Sequence, residues 1–201
     1  DLANLAISGE FDLSKSGVRY QNIFSKPEAV PMTLTLQAVL KADALELTAV
    51  KLAFDTVALD VTGSVSHFDA PVLDLRVASN AFSLPDFLAR FPEVAALKKD
   101  GQPALKSDGE ASLKASVKGA VDDLAIAATI TLDHSDVAYA DLFAKGAKIP
   151  GNIDFEGRVR QDALAVTRCV VNLGDLQLTA QGTMTNFKTP KFDASVETNL
   201  F

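Results

Sequence analysis

Slid along itself, the chain matches at one dominant offset, 119 residues, with residues 1–82 aligning on 120–201 without a gap. Twenty-two of these 82 pairs are identical, where composition alone gives roughly 6 or 7. Among them are Tyr20/Tyr139, Phe24/Phe143, Lys26/Lys145, Gly63/Gly182, Phe68/Phe187, Asp74/Asp193 and Asn80/Asn199. A repeat this long exceeds one supersecondary unit, so each copy must be a module of many elements. The 201 residues are then about 1.7 copies of one module. The first spans 1–119; the second, 120–201, stops before the point where its helix would begin.

Period-2 alternation says what a copy is made of. Leu5, Ile7, Phe11 and Leu13 lie opposite Ser8, Glu10, Asp12 and Ser14. The same alternation sets Leu34 and Leu36 against Thr33 and Thr35, Leu59 and Val61 against Asp60 and Thr62, and Leu73 and Leu75 against Asp74 and Arg76. In the second copy Leu124, Ile126, Ile130, Leu132, Ile153, Phe155 and Leu178 take the corresponding apolar places. One apolar and one wet face per strand is the pattern of an antiparallel sheet solvated on one side. Between Leu47 and Val50 the apolar positions change phase, and they do so again between Val166 and Cys169, which predicts a β-bulge at matching places.

One stretch departs from this rhythm. Ser83-Leu84-Pro85-Asp86 supplies a capping serine, an early proline and an acidic first turn, followed by Phe87, Leu88 and Phe91 at helical spacing. The reading is a short helix near 84–98, then a polar, Gly/Pro-bearing linker over 100–109. The fold expected is mostly β: a repeated antiparallel meander curled into a groove or open barrel, with one short helix between repeats.

Composition narrows the chemistry. With 19 Lys+Arg against 26 Asp+Glu and no basic cluster, the chain lacks the footprint of a nucleic-acid binder. A single cysteine, Cys169, gives no disulfide framework, and two histidines give no histidine-rich metal site. His67 aligns with Asn186 and His134 with Lys15, substitutions that suit surface positions better than ligands or bases. No phosphate loop, nucleophile elbow or carboxylate–histidine pattern occurs, so no catalytic residue, cofactor or metal is expected. What the sequence does supply is apolar surface with little to cover it. The sheet either closes as a sandwich or curls into a trough whose lining takes a ligand. Small residues at Gly9, Ala125, Ala127 and Ala128 favour space beside the bulky positions.

Three passages carry a family resemblance: Gly63 through Pro71, then Leu73-Asp74-Leu75 to Asn80, then Phe82 to Leu88. They resemble AsmA-family proteins, which share this order of strand glycine, proline turn, Leu-Asp-Leu strand and short helix. Residues 113–139 and the stretch Gly182 to Pro190 are similar to the family's recurring strand-glycine-strand element. TamB-like and other bridge-type lipid transfer proteins have the same rhythm. The resemblance implies a bacterial envelope protein tethered to the inner membrane by an N-terminal helix and projecting into the periplasm. It implies a long β-groove with an apolar interior, serving lipid transport or outer-membrane homeostasis, with phospholipid or another acyl-chain lipid as partner. The lining expected is Leu5, Ile7, Phe11, Leu13, Leu34, Leu36, Leu59, Val61, Leu73 and Leu75, with Leu124, Ile126, Ile130, Leu132, Ile153, Phe155 and Leu178. The other expectation is a closed β-sandwich that contacts other envelope proteins.

Overall fold

The computed structural model describes residues 4–20, 24–28, 30–91, 98–99, 102–103, 105–139, 143–187 and 189–199. The first copy contributes β1 (Leu5–Asp12), β2 (Val18–Tyr20), β3 (Phe24–Lys26), β4 (Met32–Lys41), β5 (Ala44–Phe54), β6 (Val57–Ser66) and β7 (Val72–Ser79). After these come β8 (Phe82–Ser83), helix α1 (Leu84–Leu88), β9 (Lys98–Lys99), β10 (Gln102–Pro103) and β11 (Leu105–Ala120). The second copy follows as β12 (Asp123–Tyr139), β13 (Phe143–Lys145), β14 (Gly151–Arg160), β15 (Ala163–Leu173), β16 (Leu176–Thr185) and β17 (Lys191–Thr198). Strands β3 to β7 recur, bound for bound, 119 residues later as β13 to β17.

Thirteen strands form one antiparallel sheet in the order β1-β4-β5-β6-β7-β11-β12-β14-β15-β16-β17, with β8 and β13 attached to β11 and β12. β1 and β17 are its margins and do not pair with each other, so the meander curls without closing. β11 lies between the two copies, bonded to β7 on one side and β12 on the other. The sheet therefore runs through the repeat boundary without a break.

Hydrogen bonds repeat as the strands do. Asn80 Oδ1 accepts from the Ala58 amide at 2.7 Å, and Asn199 Oδ1 from the Gln177 amide at 2.8 Å. The same two asparagines donate from Nδ2 to the carbonyls of Thr56 and Asp175. The register slips between Leu47 and Val50 and between Val166 and Cys169, where the sequence changes phase. At each bulge a threonine left out of the ladder, Thr48 or Thr167, donates its hydroxyl to the carbonyl of Gln37 or Glu156.

Two local expectations need correction. The 100–109 stretch is not all linker, because β11 starts at Leu105 and Gln102–Pro103 pair with Lys98–Lys99. Its glycine serves a close crossing: Gly109 has φ +81°, and a Cβ there would lie 2.2 Å from the His134 carbonyl. The helix is five residues long, Leu84–Leu88, with Ser83 accepting from the Asp86 amide as foreseen. The part of the helix expectation at 92–97 lies outside the described residues.

The exposed area is 12805 Å². A closed monomer of 21.3 kDa exposes roughly 9,000 Å², and among the described residues no second sheet covers this one. The buried core is small and sits at one end of the sheet. Val57, Phe82, Leu84, Ala111 and Leu132 form it, with Leu59, Phe87, Leu88, Leu113, Ile130 and Ile153 packed against them. α1 is its cover, and the Phe87 ring stands 5.0 Å from both Phe82 and Phe91.

Candidate functional site

Reading the register across the sheet reveals the apolar face as rows perpendicular to the strands. One row runs Gly9, Leu36, Val50, Val61, Val77, Ala115, Ala128, Phe155, Cys169, Ala180, Val196. The next runs Ile7, Ala38, Leu47, Gly63, Leu75, Val117, Ile126, Gly157, Val166, Gly182, Ala194. A third runs Leu5, Leu40, Leu45, Val65, Leu73, Gly119, Leu124, Val159, Leu164, Met184, Phe192. No polar side chain interrupts these three rows, which cross eleven strands and span about 50 Å at ordinary strand spacing. The bulges keep them aligned. Without the extra residue in β5 and β15, Leu47 and Val166 would turn to the wet face.

Sixteen of the seventeen expected lining residues fall on this face, all but Leu13, but they do not share one environment. Leu36, Val61, Phe155, Ile7, Leu75, Ile126, Leu5, Leu73 and Leu124 belong to the three rows. Phe11, Leu34, Leu59, Ile130, Ile153 and Leu178 form most of a fourth row, which Ser79 interrupts. Leu132 is 5% exposed in the core beneath α1. Leu59, Ile130 and Ile153 pack against the same core, so these four belong in part to the closed end. Leu13, whose amide donates to the Met32 carbonyl, lies just beyond β1. Leu5 and Phe11 are exposed on the marginal strand, and the Phe11 ring lies over Gly9, 3.2 Å from where a Cβ would stand. The others are half-buried, although no second sheet layer covers them among the described residues.

Leu47, Val50, Val77, Val117, Cys169 and Val196 stand in these rows as well, although the expected lining did not include them. The phase slip was the signal for the first two. Half-buried Cys169 stands between Phe155 and Ala180 as one more small apolar side chain. Ala125 and Ala127 need the opposite correction. They stand across from Lys118 and Ser116 on the wet face, so they leave no room on the apolar one.

That wet face is laced by opposite charges placed directly across the ladder: Lys118–Asp74 at 3.4 Å, Lys51–Asp60 at 3.3 Å and Arg168–Glu156 at 3.6 Å. Asp123 takes two guanidinium groups, Arg158 and Arg160, and their hydrogen bonds pull its pKa down to about 2. Exposed pairs like these stabilise little individually; their consequence is a face that stays in water. It also holds a surface depression of about 670 Å³, lined by Arg76, Ala78, Lys114, Ser116, Ala127 and Arg168 among others.

Among the described residues no three histidine, cysteine or acidic side chains stand close enough to hold a metal ion. No described helix is long and apolar enough to cross a membrane. Compared with protein families, with characterised proteins and with solved structures, the chain matches none.

Proposed function

We propose that the chain is a non-catalytic segment of a bacterial envelope protein that holds or conducts lipid acyl chains along its apolar rows. The observation that carries this reading is the set of three uninterrupted apolar rows crossing eleven strands, with no second sheet layer over them among the described residues. Exposed apolar surface on this scale is costly in water, and an acyl chain laid across it removes both surfaces from solvent at about 25 cal/mol per Å². A headgroup stays hydrated beyond the open side, so movement along the rows needs no bond to be made or broken. The resemblance to the AsmA family supports the setting: the periplasm, tethering to the inner membrane through a segment outside these residues, and a part in outer-membrane lipid transport or homeostasis. The second reading, a closed sandwich acting as an interaction module, has less support. It needs a second layer, and the described residues offer only the short helix α1 and two two-stranded ribbons besides the main sheet.

Native mass spectrometry of the purified protein tests the reading. Phospholipid should co-purify, and Leu36→Asp, on the second strand of one row, should abolish it while the far-ultraviolet circular dichroism stays unchanged. Lipid-free protein, or lipid retained by a folded Leu36→Asp variant, overturns it.

A further inference from the structure

Three cations of the wet face stand directly opposite a carboxylate and reach it: Lys51 on Asp60, Lys118 on Asp74 and Arg168 on Glu156. Arg76 and Lys114 have no such neighbour. Arg76 faces Thr62 on β6 and Ser116 on β11, and Lys114 faces Ala78 on β7 and Thr129 on β12. Both are exposed, and neither side chain has an ion-pair or hydrogen-bond partner among the described residues. Both line the depression of about 670 Å³.

We propose that this depression binds a phosphate group, carried by a soluble phosphate ester or a lipid headgroup, between the Arg76 guanidinium and the Lys114 ammonium. The two residues are diagonal neighbours across β7 and β11, with backbones roughly 7–8 Å apart, and their long side chains can converge on one anion. Ser116 stands opposite Arg76 and two places from Lys114. Its half-buried hydroxyl has no hydrogen-bond partner among the described residues. The guanidinium fork matches two phosphate oxygens, and the ammonium and hydroxyl supply donors for the rest.

The surrounding carboxylates are already engaged. Asp60 and Asp74, the two nearest Arg76 in register, are held by Lys51 and Lys118 at 3.3 and 3.4 Å. Glu156 is held by Arg168, and Asp154 accepts from Thr129 Oγ1 at 2.7 Å and from Asn152 Nδ2 at 2.5 Å. In a chain of net charge −7, Arg76 and Lys114 are thus left side by side without a counter-charge. They repel each other, and a phosphate dianion between them turns that repulsion into two attractions. The volume lies within the roughly 300–1,000 Å³ of small-molecule sites, so the depression has room for the group that carries the phosphate. It lies on the opposite face from the apolar rows and is independent of whether those rows hold lipid.

The test titrates the whole chain with inorganic phosphate and with glycerol 3-phosphate at low ionic strength, followed by NMR. The Arg76 Nε–H and the Ser116, Ala127 and Thr129 amides should shift along saturable curves. Arg76→Gln with Lys114→Gln should weaken binding by about tenfold or more, with the rest of the spectrum unchanged. Lys15→Gln with Lys148→Gln removes the same charge at exposed positions outside the depression and should leave binding within about twofold. Dihexanoyl phosphatidate that binds there more tightly than glycerol 3-phosphate upholds the site with a lipid headgroup as its source. Equal or weaker binding of that lipid upholds it with a soluble ester. Shifts that grow linearly without saturation overturn the proposal. So does binding that survives Arg76→Gln with Lys114→Gln, or an equal loss in the two double variants.

Discussion

Lys26 and Lys145, 119 residues apart, end in the same cage. Lys26 Nζ donates to the carbonyls of Ser16 at 2.5 Å, Pro27 at 3.3 Å and Ser14 at 3.4 Å. Lys145 Nζ donates to those of Ser135 at 2.8 Å, Gly146 at 3.3 Å and Leu132 at 2.6 Å. Both side chains are buried, at 1% and 2% exposure. Burial pushes Lys145 below the ordinary lysine pKa, with Asp133 and Asp136 pulling the other way. Three acceptors match the three N–H bonds of an ammonium, which is how a lysine comes to be fully enclosed without a carboxylate in contact. The cages tie β3 and β13 each to the segment that precedes it.

Lys145→Met keeps most of the side-chain volume and leaves these carbonyls without their donor. It should lower the unfolding free energy by about 2 kcal/mol, and Lys26→Met should do the same in the first copy. Urea denaturation measures both, and a cost below about 0.5 kcal/mol for either denies the cage a stabilising role.

Leu84 and Phe192 contrast a covered and an uncovered apolar residue. Leu84→Ala opens a cavity in the core beneath α1 and should cost about 2–4 kcal/mol. Phe192→Ala, on the free margin, should change stability by less than about 0.5 kcal/mol. Comparable losses in the two variants would mean that the margin is covered in solution.

Gly63 has φ +134°, and a Cβ there would lie 1.9 Å from the Asp74 carbonyl oxygen on the neighbouring strand. Gly63→Ala should therefore cost about 3 kcal/mol or more, as strain and backbone clash act together. Gly9→Ala meets only the Phe11 ring, which can swing aside, and should stay within about 1 kcal/mol of the parent. Thermal melts of the two variants rank them, and equal melting temperatures would refute the distinction.

Asp123 carries a pH signature. Its folded pKa of about 2 lies below the ordinary 3.8, so its contribution is complete above the ordinary value and fades as pH falls through about 2. Side-chain NMR titration should place that carboxyl well below 3.8. Arg160→Gln should move it back toward 3.8, since the Arg160 hydrogen bond is the largest cause of its depression. A titration unmoved by that change contradicts the pairing.

Much of this was legible in the chain itself. The 119-residue offset and the period-2 alternation gave strand identity, facing and the two bulges, because side-chain direction in a strand follows from local geometry alone. The capped start at Ser83 marked α1, since capping is settled within four residues. The linker was misread because Gly109 suggests a turn locally, while the close crossing of β12 makes it a strand glycine. Ala125 and Ala127 were misplaced for a related reason: small apolar side chains suit either face of a strand, and only register assigns them.

By itself the sequence determined that the chain is a β repeat with one apolar and one wet face per strand. Only the tertiary structure decided that these faces join in rows across eleven strands, that β11 joins the copies, and that the marginal strands β1 and β17 do not pair with each other. The reason lies in the range of the interactions. Alternation, turns and caps are set by neighbours in the chain, whereas row continuity and closure depend on which strands pair, through contacts tens of residues apart.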